Sequence, residues 1–333
     1  MLKQRNNKSV YVHIGYPKTA TTTLQNYLFP KHSQVQYLRD GTKNLSFIGN
    51  IFFARENSLK RNRNNIQNEL KQFVSSDKNK YAYSEESLTS FSMFYRFVPN
   101  PYIWTVEPNS IARKLKSAFK DAEVFDDVKI IVTIRKQDAM IKSMYAQVYN
   151  FVFKKFKETK TFSKFLKYSI DENSDGFILD ALHYNDVIKE YEDLFGKENI
   201  CVLVFEELKQ DKESYIKKLC EFMDIDFEEA MRLIGDNQTN KRSSSSGYKS
   251  DERNIIELLS FYKNKYIGGK SLGLSDSWVY KMLTKIYILG KVLKDLEINN
   301  EYNKKLNDFY AKGNKELSER YNLNLKQYGY YYE

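Results

Sequence analysis

The chain has 333 residues, 41% hydrophobic and 29% charged, which is enough apolar material for a buried core and too much for a disordered chain. Thirteen glycines and five prolines exclude a collagenous or linker-rich chain, and two cysteines, Cys201 and Cys220, are too few for a disulfide framework or a zinc site. The net charge of +10 fits an anionic partner or a lysine-rich solvated surface, and the lysines are spread along the chain rather than gathered in one block.

Val10-Tyr-Val-His-Ile14 is a β-branched and aromatic run closed by Gly15, which predicts a strand followed by a turn. After residues 16–20, the helical spacing of Leu24, Tyr27 and Leu28 predicts a helix over Thr21–Phe29, stopped by Pro30. Residues 31–57 follow no clear period. Residues 58–74 read as a polar helix, Tyr81–Tyr83 as a second strand and Glu107–Lys120 as a further helix. Lys129–Ile134 is a near-continuous β-branched run, the pattern of a parallel strand buried on both faces, and a helix from Gln137 to Asn150 follows it. Ile200–Phe205 is the next strand, with a helix ending near Phe195-Gly196 before it and a helix over Lys212–Met223 after it. Beyond the polar loop 237–247 the periodicity is almost entirely helical. Strands separated by helices predict an α/β fold, a central parallel sheet of four or five strands flanked by helices, with a helical C-terminal portion.

That division places an α/β domain at residues 1–250 and a helical extension packed on it at 251–333. No run approaches the roughly 18 apolar residues of a membrane span. Residues 1–9 are polar with no apolar signal core, so a soluble, cytoplasmic protein is expected. The segment Trp278–Leu289, an apolar-rich helix with lysines, either packs on the sheet domain or meets the inner face of a membrane.

The strongest chemical signal is the junction Gly15-Tyr-Pro-Lys-Thr-Ala-Thr-Thr-Thr23 between strand and helix. Such a junction turns unpaired backbone N–H groups and the positive end of a helix dipole toward the loop, an anion site. Lys18 adds a full charge, and Thr21, Thr22 and Thr23 add hydroxyls. The nucleotide P-loop pattern is approached but not met, because Ala20-Thr21-Thr22 stands where Gly-Lys-Ser/Thr belongs.

Pro17-Lys18-Thr19-Ala20-Thr21-Thr22-Thr23-Leu24 resembles the 5′-phosphosulfate loop of the sulfotransferases that use PAPS (3′-phosphoadenosine 5′-phosphosulfate), with Ala20 in place of a glycine. That exchange is tolerable if φ is negative there. A second block is similar to the family's 3′-phosphate site: Arg135 at the end of the buried strand, and Ser143 on the helix that follows. Arginine suits bidentate phosphate contacts at the carboxyl end of a strand. A third block, Asn199–Leu208 with Leu219–Ile225, resembles a later strand and helix of the family; Glu206 and Glu207 read there as structural or capping groups.

The resemblance implies a P-loop-like fold and transfer of a sulfuryl group from PAPS to a hydroxyl or amine of a carbohydrate or lipid-linked acceptor, leaving PAP. It implies no metal and no nucleic-acid partner. Residues 19–23 and Lys18 would hold the 5′-phosphosulfate, Arg135 and Ser143 the 3′-phosphate, and Lys18 would stabilise the transferring group. An acceptor must lose a proton. His13 in the first strand, His32 after Pro30 and His183 in a polar helix lie in no suitable context, whereas Ser84-Glu85-Glu86-Ser87-Leu88 offers a carboxylate just past a strand. Glu86 is the preferred general base, with Glu85 the alternative. Lys241 and Arg242 either close over the nucleotide or belong to a solvated loop. Two other classes fit less well: a P-loop kinase or nucleotide hydrolase, and a non-catalytic basic protein that binds nucleic acid.

Overall fold

The structure, a computed structural model, describes residues 7–39, 56–75, 77–86, 88–89, 110–149, 153–172, 179–235 and 296–333, with the pairs 248–249, 253–254, 287–288 and 292–293. Five strands form one sheet: β1 (Ser9–His13), β2 (Val35–Tyr37), β3 (Lys80–Ser84), β4 (Asp127–Ile134) and β5 (Ile200–Val204). Their order is β2-β3-β1-β4-β5, and every pairing is parallel. The strands alternate between two hydrophobic clusters. Val10, Val12, Tyr81, Tyr83, Ile130, Val132, Val202 and Val204 join one; Tyr11, Ala82, Ile131, Cys201 and Leu203 join the other. Burial of both faces is why Ile130–Ile134 of β4 is apolar apart from Thr133.

Helices cover both faces. α1 (Thr21–Thr23) continues as a π-helix over Leu24–Leu28; α2 (Glu56–Arg61), α3 (Arg63–Phe73) and α4 (Ser110–Leu115) precede β4. α5 (Gln137–Val148), α6 (Phe162–Lys167) and α7 (Tyr184–Phe195) lie between β4 and β5, and α8 (Phe205–Gln210), α9 (Lys212–Met223) and α10 (Phe227–Ile234) follow. Each boundary has a local cause. Gly196 ends α7 at φ +92°, Asp211 accepts from Ser214 N–H to cap α9, and Asp226 caps α10 through Glu229 N–H. α11 (Asn300–Tyr321) is capped by Asn299 and buries Leu306, Tyr310 and Leu317 in the same cluster as one face of the sheet.

Four sequence expectations change. β2 lies within the stretch that had no period, because it is a three-residue edge strand paired only through β3. The helix after Gly15 is α-helical for one turn and then widens: Phe29 N–H reaches back five residues to Leu24 O at 2.9 Å. His183 does not lie in a helix but precedes α7. Tyr287–Ile288, expected at the end of a helix, instead pairs antiparallel with Arg253–Asn254, and Tyr248–Lys249 pairs likewise with Val292–Leu293. Residues 237–247, with Lys241 and Arg242, and residues 278–286 lie outside the described residues. Among the described residues no helix is long and apolar enough to cross a membrane.

Candidate active site

Three neighbouring strands, β3, β1 and β4, deliver the candidate groups at their carboxyl ends. The register sets this: His13 lies opposite Ser84 on one side and Ile131 on the other. Pairing continues past β1, with Ile14 N–H on Ile131 O at 2.9 Å and Tyr16 N–H on Thr133 O at 3.0 Å. The chain then turns away. Gly15 is needed at the bend, since a Cβ there would stand 2.5 Å from the His13 ring.

Residues 16–20 curl tightly. Lys18 and Ala20 both take the left-handed conformation, at φ +63° and +62°, and the buried Thr19 hydroxyl donates to Tyr16 O. Ala20 O accepts from Thr23 N–H at 2.9 Å, which opens the helix. Left-handed residues in such a bend gather N–H groups into an anion-binding concavity. The condition that made Ala20 an easy replacement for glycine is not met, because its φ is positive. Ala20→Gly is therefore expected to raise stability by about 1 kcal/mol, as relief of left-handed strain outweighs the added freedom of the unfolded chain. Urea unfolding of the two proteins checks this; equal or lower stability of the glycine variant would refute it.

Lys18 is exposed, and its carbonyl accepts from Arg135 Nη1 at 3.2 Å. Arg135 is 7% exposed, its guanidinium 5.0 Å from the Phe205 ring centre. The loop is thus tied to the end of β4. On the other flank, the Thr21 hydroxyl donates to Glu86 Oε2 at 2.7 Å, and the Thr89 hydroxyl to Gly15 O at 3.2 Å. Glu85 turns aside and pairs with Arg39 at 3.0 Å. Of the two carboxylates, it is Glu86 that meets the loop. The hydroxyls of Thr19 and Thr21 are occupied within the protein, which leaves their backbone N–H groups as the groups to offer an anion. Thr22 is half-buried and Thr23 buried. Ser143 is buried in α5 at 3% exposure, two turns beyond Arg135.

Beneath the loop lies a polar brace that no local pattern announces. His13 is fully buried, with Nδ1 2.8 Å from Ser84 Oγ and Nε2 2.9 Å from Thr133 Oγ1. Gln25 Nε2 donates to the same Ser84 hydroxyl at 3.0 Å. Burial pushes the His13 imidazole down to about 3, so it is neutral at physiological pH, and one ring nitrogen donates while the other accepts. The brace joins the ends of β3, β1 and β4, two residues before Glu86, five before Lys18 and two before Arg135. Ser84 and Thr133 are unremarkable in sequence; only strand register brings them to one ring.

The other histidines are occupied elsewhere. His32 Nε2 lies 3.0 Å from Asp226 O, and His183 packs on the Phe309 ring at 4.3 Å between centroids. Burial lowers the His183 imidazole. A cupped loop with a lysine, a neighbouring arginine and a hydrogen-bonded carboxylate can seat a phosphate-like anion and accept a proton beside it.

A sequence model described as the sulfotransferase family matches residues 12–229, which include Lys18, Glu86, Arg135 and Ser143. No curated protein sequence matches the chain. Among solved structures, the fold is similar to a sulfotransferase from Alicyclobacillus acidocaldarius, at 14% identity over 96% of this chain and 97% of that one, with a TM-score of 0.50. A mouse sulfotransferase complexed with PAP aligns at 15% identity over 72% of this chain and 69% of its own, with a TM-score of 0.36.

Proposed function

Because this chain belongs to the sulfotransferase family, we propose that its site transfers a sulfuryl group from PAPS to a hydroxyl or amine of a carbohydrate or lipid-linked acceptor. The observation that carries this reading is the pair of ties that bring Arg135 and Glu86 to the loop bearing Lys18: Arg135 to Lys18 O, and Thr21 to Glu86. In the reaction the bond between sulfur and the bridging phosphate oxygen breaks as a bond from sulfur to the acceptor oxygen or nitrogen forms. Glu86 takes the acceptor proton, and PAP leaves with the bridging oxygen. Lys18 stabilises the charge on that oxygen and on the sulfuryl group. Backbone N–H groups of residues 19–22 hold the 5′-phosphate, that of Thr23 being donated to Ala20 O, and Arg135 with Ser143 holds the 3′-phosphate. Positioning and electrostatics supply the catalysis, as in phosphoryl transfer.

A groove of about 990 Å³ opens beside Arg39, the partner of Glu85, and is lined by neither Glu86 nor Lys18. Its lining includes Gln25, Asn26, Gln36 and Tyr37, amide and phenol groups of the kind that pair with sugar hydroxyls, with three cations, Lys31, Arg39 and Lys78, and the Asp77 carboxylate; we read it on that ground as the place of a hydroxyl-rich acceptor. Gln25 and Arg39 also touch the turn itself, through Ser84 and Glu85. Transfer of labelled sulfate from PAPS to a panel of glycans and lipids tests the reading. Labelling of a glycan supports it; Mg²⁺-dependent ATP turnover with no sulfate transfer to any member would replace it with a nucleotide hydrolase.

PAP is expected to stabilise the protein against heat by about 2.7 kcal/mol at a hundredfold excess over its dissociation constant, and ATP by much less at the same concentration. The cause is the 3′-phosphate that ATP lacks. Arg135→Ala should erase the difference. Equal stabilisation of the unaltered protein by ATP would refute the role given to Arg135.

A further inference from the structure

The turn after β4 is gripped at three consecutive residues. Tyr184, at the start of α7, donates its hydroxyl to Arg135 O at 2.6 Å. Glu206, 8% exposed in the first turn of α8, accepts from Lys136 N–H at 3.3 Å and from the Tyr330 hydroxyl at 2.9 Å. Gln137, fully buried at the start of α5, exchanges side-chain hydrogen bonds with Asn314 of α11, at 2.8 and 3.2 Å. Asn314 also donates to Tyr331 O at 2.9 Å.

Two of these three grips end in the C-terminal segment, outside the stretch 12–229 that the family model matches. Each is made in a nearly dry interior, where a lost partner leaves a polar group unsatisfied. Burial pushes the Glu206 carboxyl up, while the Tyr330 hydroxyl, backbone N–H groups and the Arg135 charge pull it down. The carboxyl therefore depends on a tyrosine from the last residues of the chain. A bidentate guanidinium contact demands placement within roughly half an ångström, and backbone held by the β4 ladder before Arg135 and by these grips after it would provide it.

Resting on the reading of Arg135 as the 3′-phosphate contact, we propose that Glu206, Tyr330 and Asn314 are positioning residues of the nucleotide site. Through them the C-terminal helix and tail set the aim of Arg135. Tyr330 acts on Lys136 through Glu206, and Asn314 acts directly on Gln137. The C-terminal segment is thus a working part of the 3′-phosphate site.

The test compares two nucleotides that differ only in that phosphate. Calorimetric titration with PAP and with adenosine 5′-monophosphate would be run on the full chain, on Tyr330→Phe and on Asn314→Leu. Both variants should bind PAP about three- to tenfold more weakly, the scale of one displaced charge-assisted contact, with binding of the monophosphate held within about twofold. A general loosening of the protein would weaken both nucleotides alike. That outcome, or unchanged binding of both, overturns the proposal. Should Asn314→Leu not fold, Tyr330→Phe carries the test alone, because it deletes one oxygen and keeps the ring. If the unaltered protein binds PAP no more tightly than the monophosphate, the 3′-phosphate assignment itself falls.

Discussion

Glu86→Gln is expected to lower turnover by a factor of about 10²–10⁴ while changing PAP affinity by less than about twofold. Glutamine keeps the size of the side chain, and its amide oxygen can still accept from the Thr21 hydroxyl that now donates to Glu86 at 2.7 Å. What it loses is basicity. PAP has no proton to surrender, so its binding does not sense that loss. Initial rates with PAPS and a labelled acceptor, set beside PAP calorimetry, measure the two effects separately. Glu85→Gln should behave differently, because Glu85 is paired with Arg39 at 3.0 Å. Both partners are partly exposed, so the pair contributes at most about 1 kcal/mol to stability and nothing to proton transfer. Loss of turnover in Glu85→Gln with normal rates in Glu86→Gln would move the base by one residue.

Lys18→Ala is expected to cut turnover by about 10²–10³ and to weaken PAP binding by a much smaller factor. The ammonium is assigned to charge that develops on the sulfuryl group and the bridging oxygen, and PAP carries no sulfuryl group. The substitution leaves the architecture in place. Arg135 is held by the Lys18 carbonyl rather than by its side chain, and alanine meets the same strain as lysine at φ +63°. A fall in PAP affinity as large as the fall in turnover would make Lys18 a binding residue and remove it from the chemistry.

The site's elements differ in how far sequence reveals them, and the differences have physical causes. The junction at residues 10–24 is readable because strand, loop and helix each follow from neighbours in the chain: β-branched residues, then Gly15 and Pro17, then apolar spacing. Strand β4 is readable for the same reason, since burial on both faces favours a near-continuous β-branched run. Strand β2 is not, because three edge residues with one partner strand carry almost no pattern. The backbone of Ala20 is not either; its left-handed φ comes from the curl between Tyr16 and Thr23, not from any preference of alanine.

By itself, then, the sequence determined four of the five strands and their order along the chain, the strand–loop–helix junction that carries Lys18, and the emergence of Arg135 and the Glu85–Glu86 pair from strand ends. Those features depend on local propensity and on periodic burial, which are written in adjacent residues. Tertiary structure decided what those groups meet. It turned Glu86 to Thr21 and Glu85 to Arg39, placed His13 between Ser84 and Thr133, and brought Tyr330 to Glu206, 124 residues away in the chain. Such contacts depend on the register of parallel strands and on the packing of distant helices, and hydrogen bonds between partners so far apart leave no periodic trace in either partner's neighbourhood.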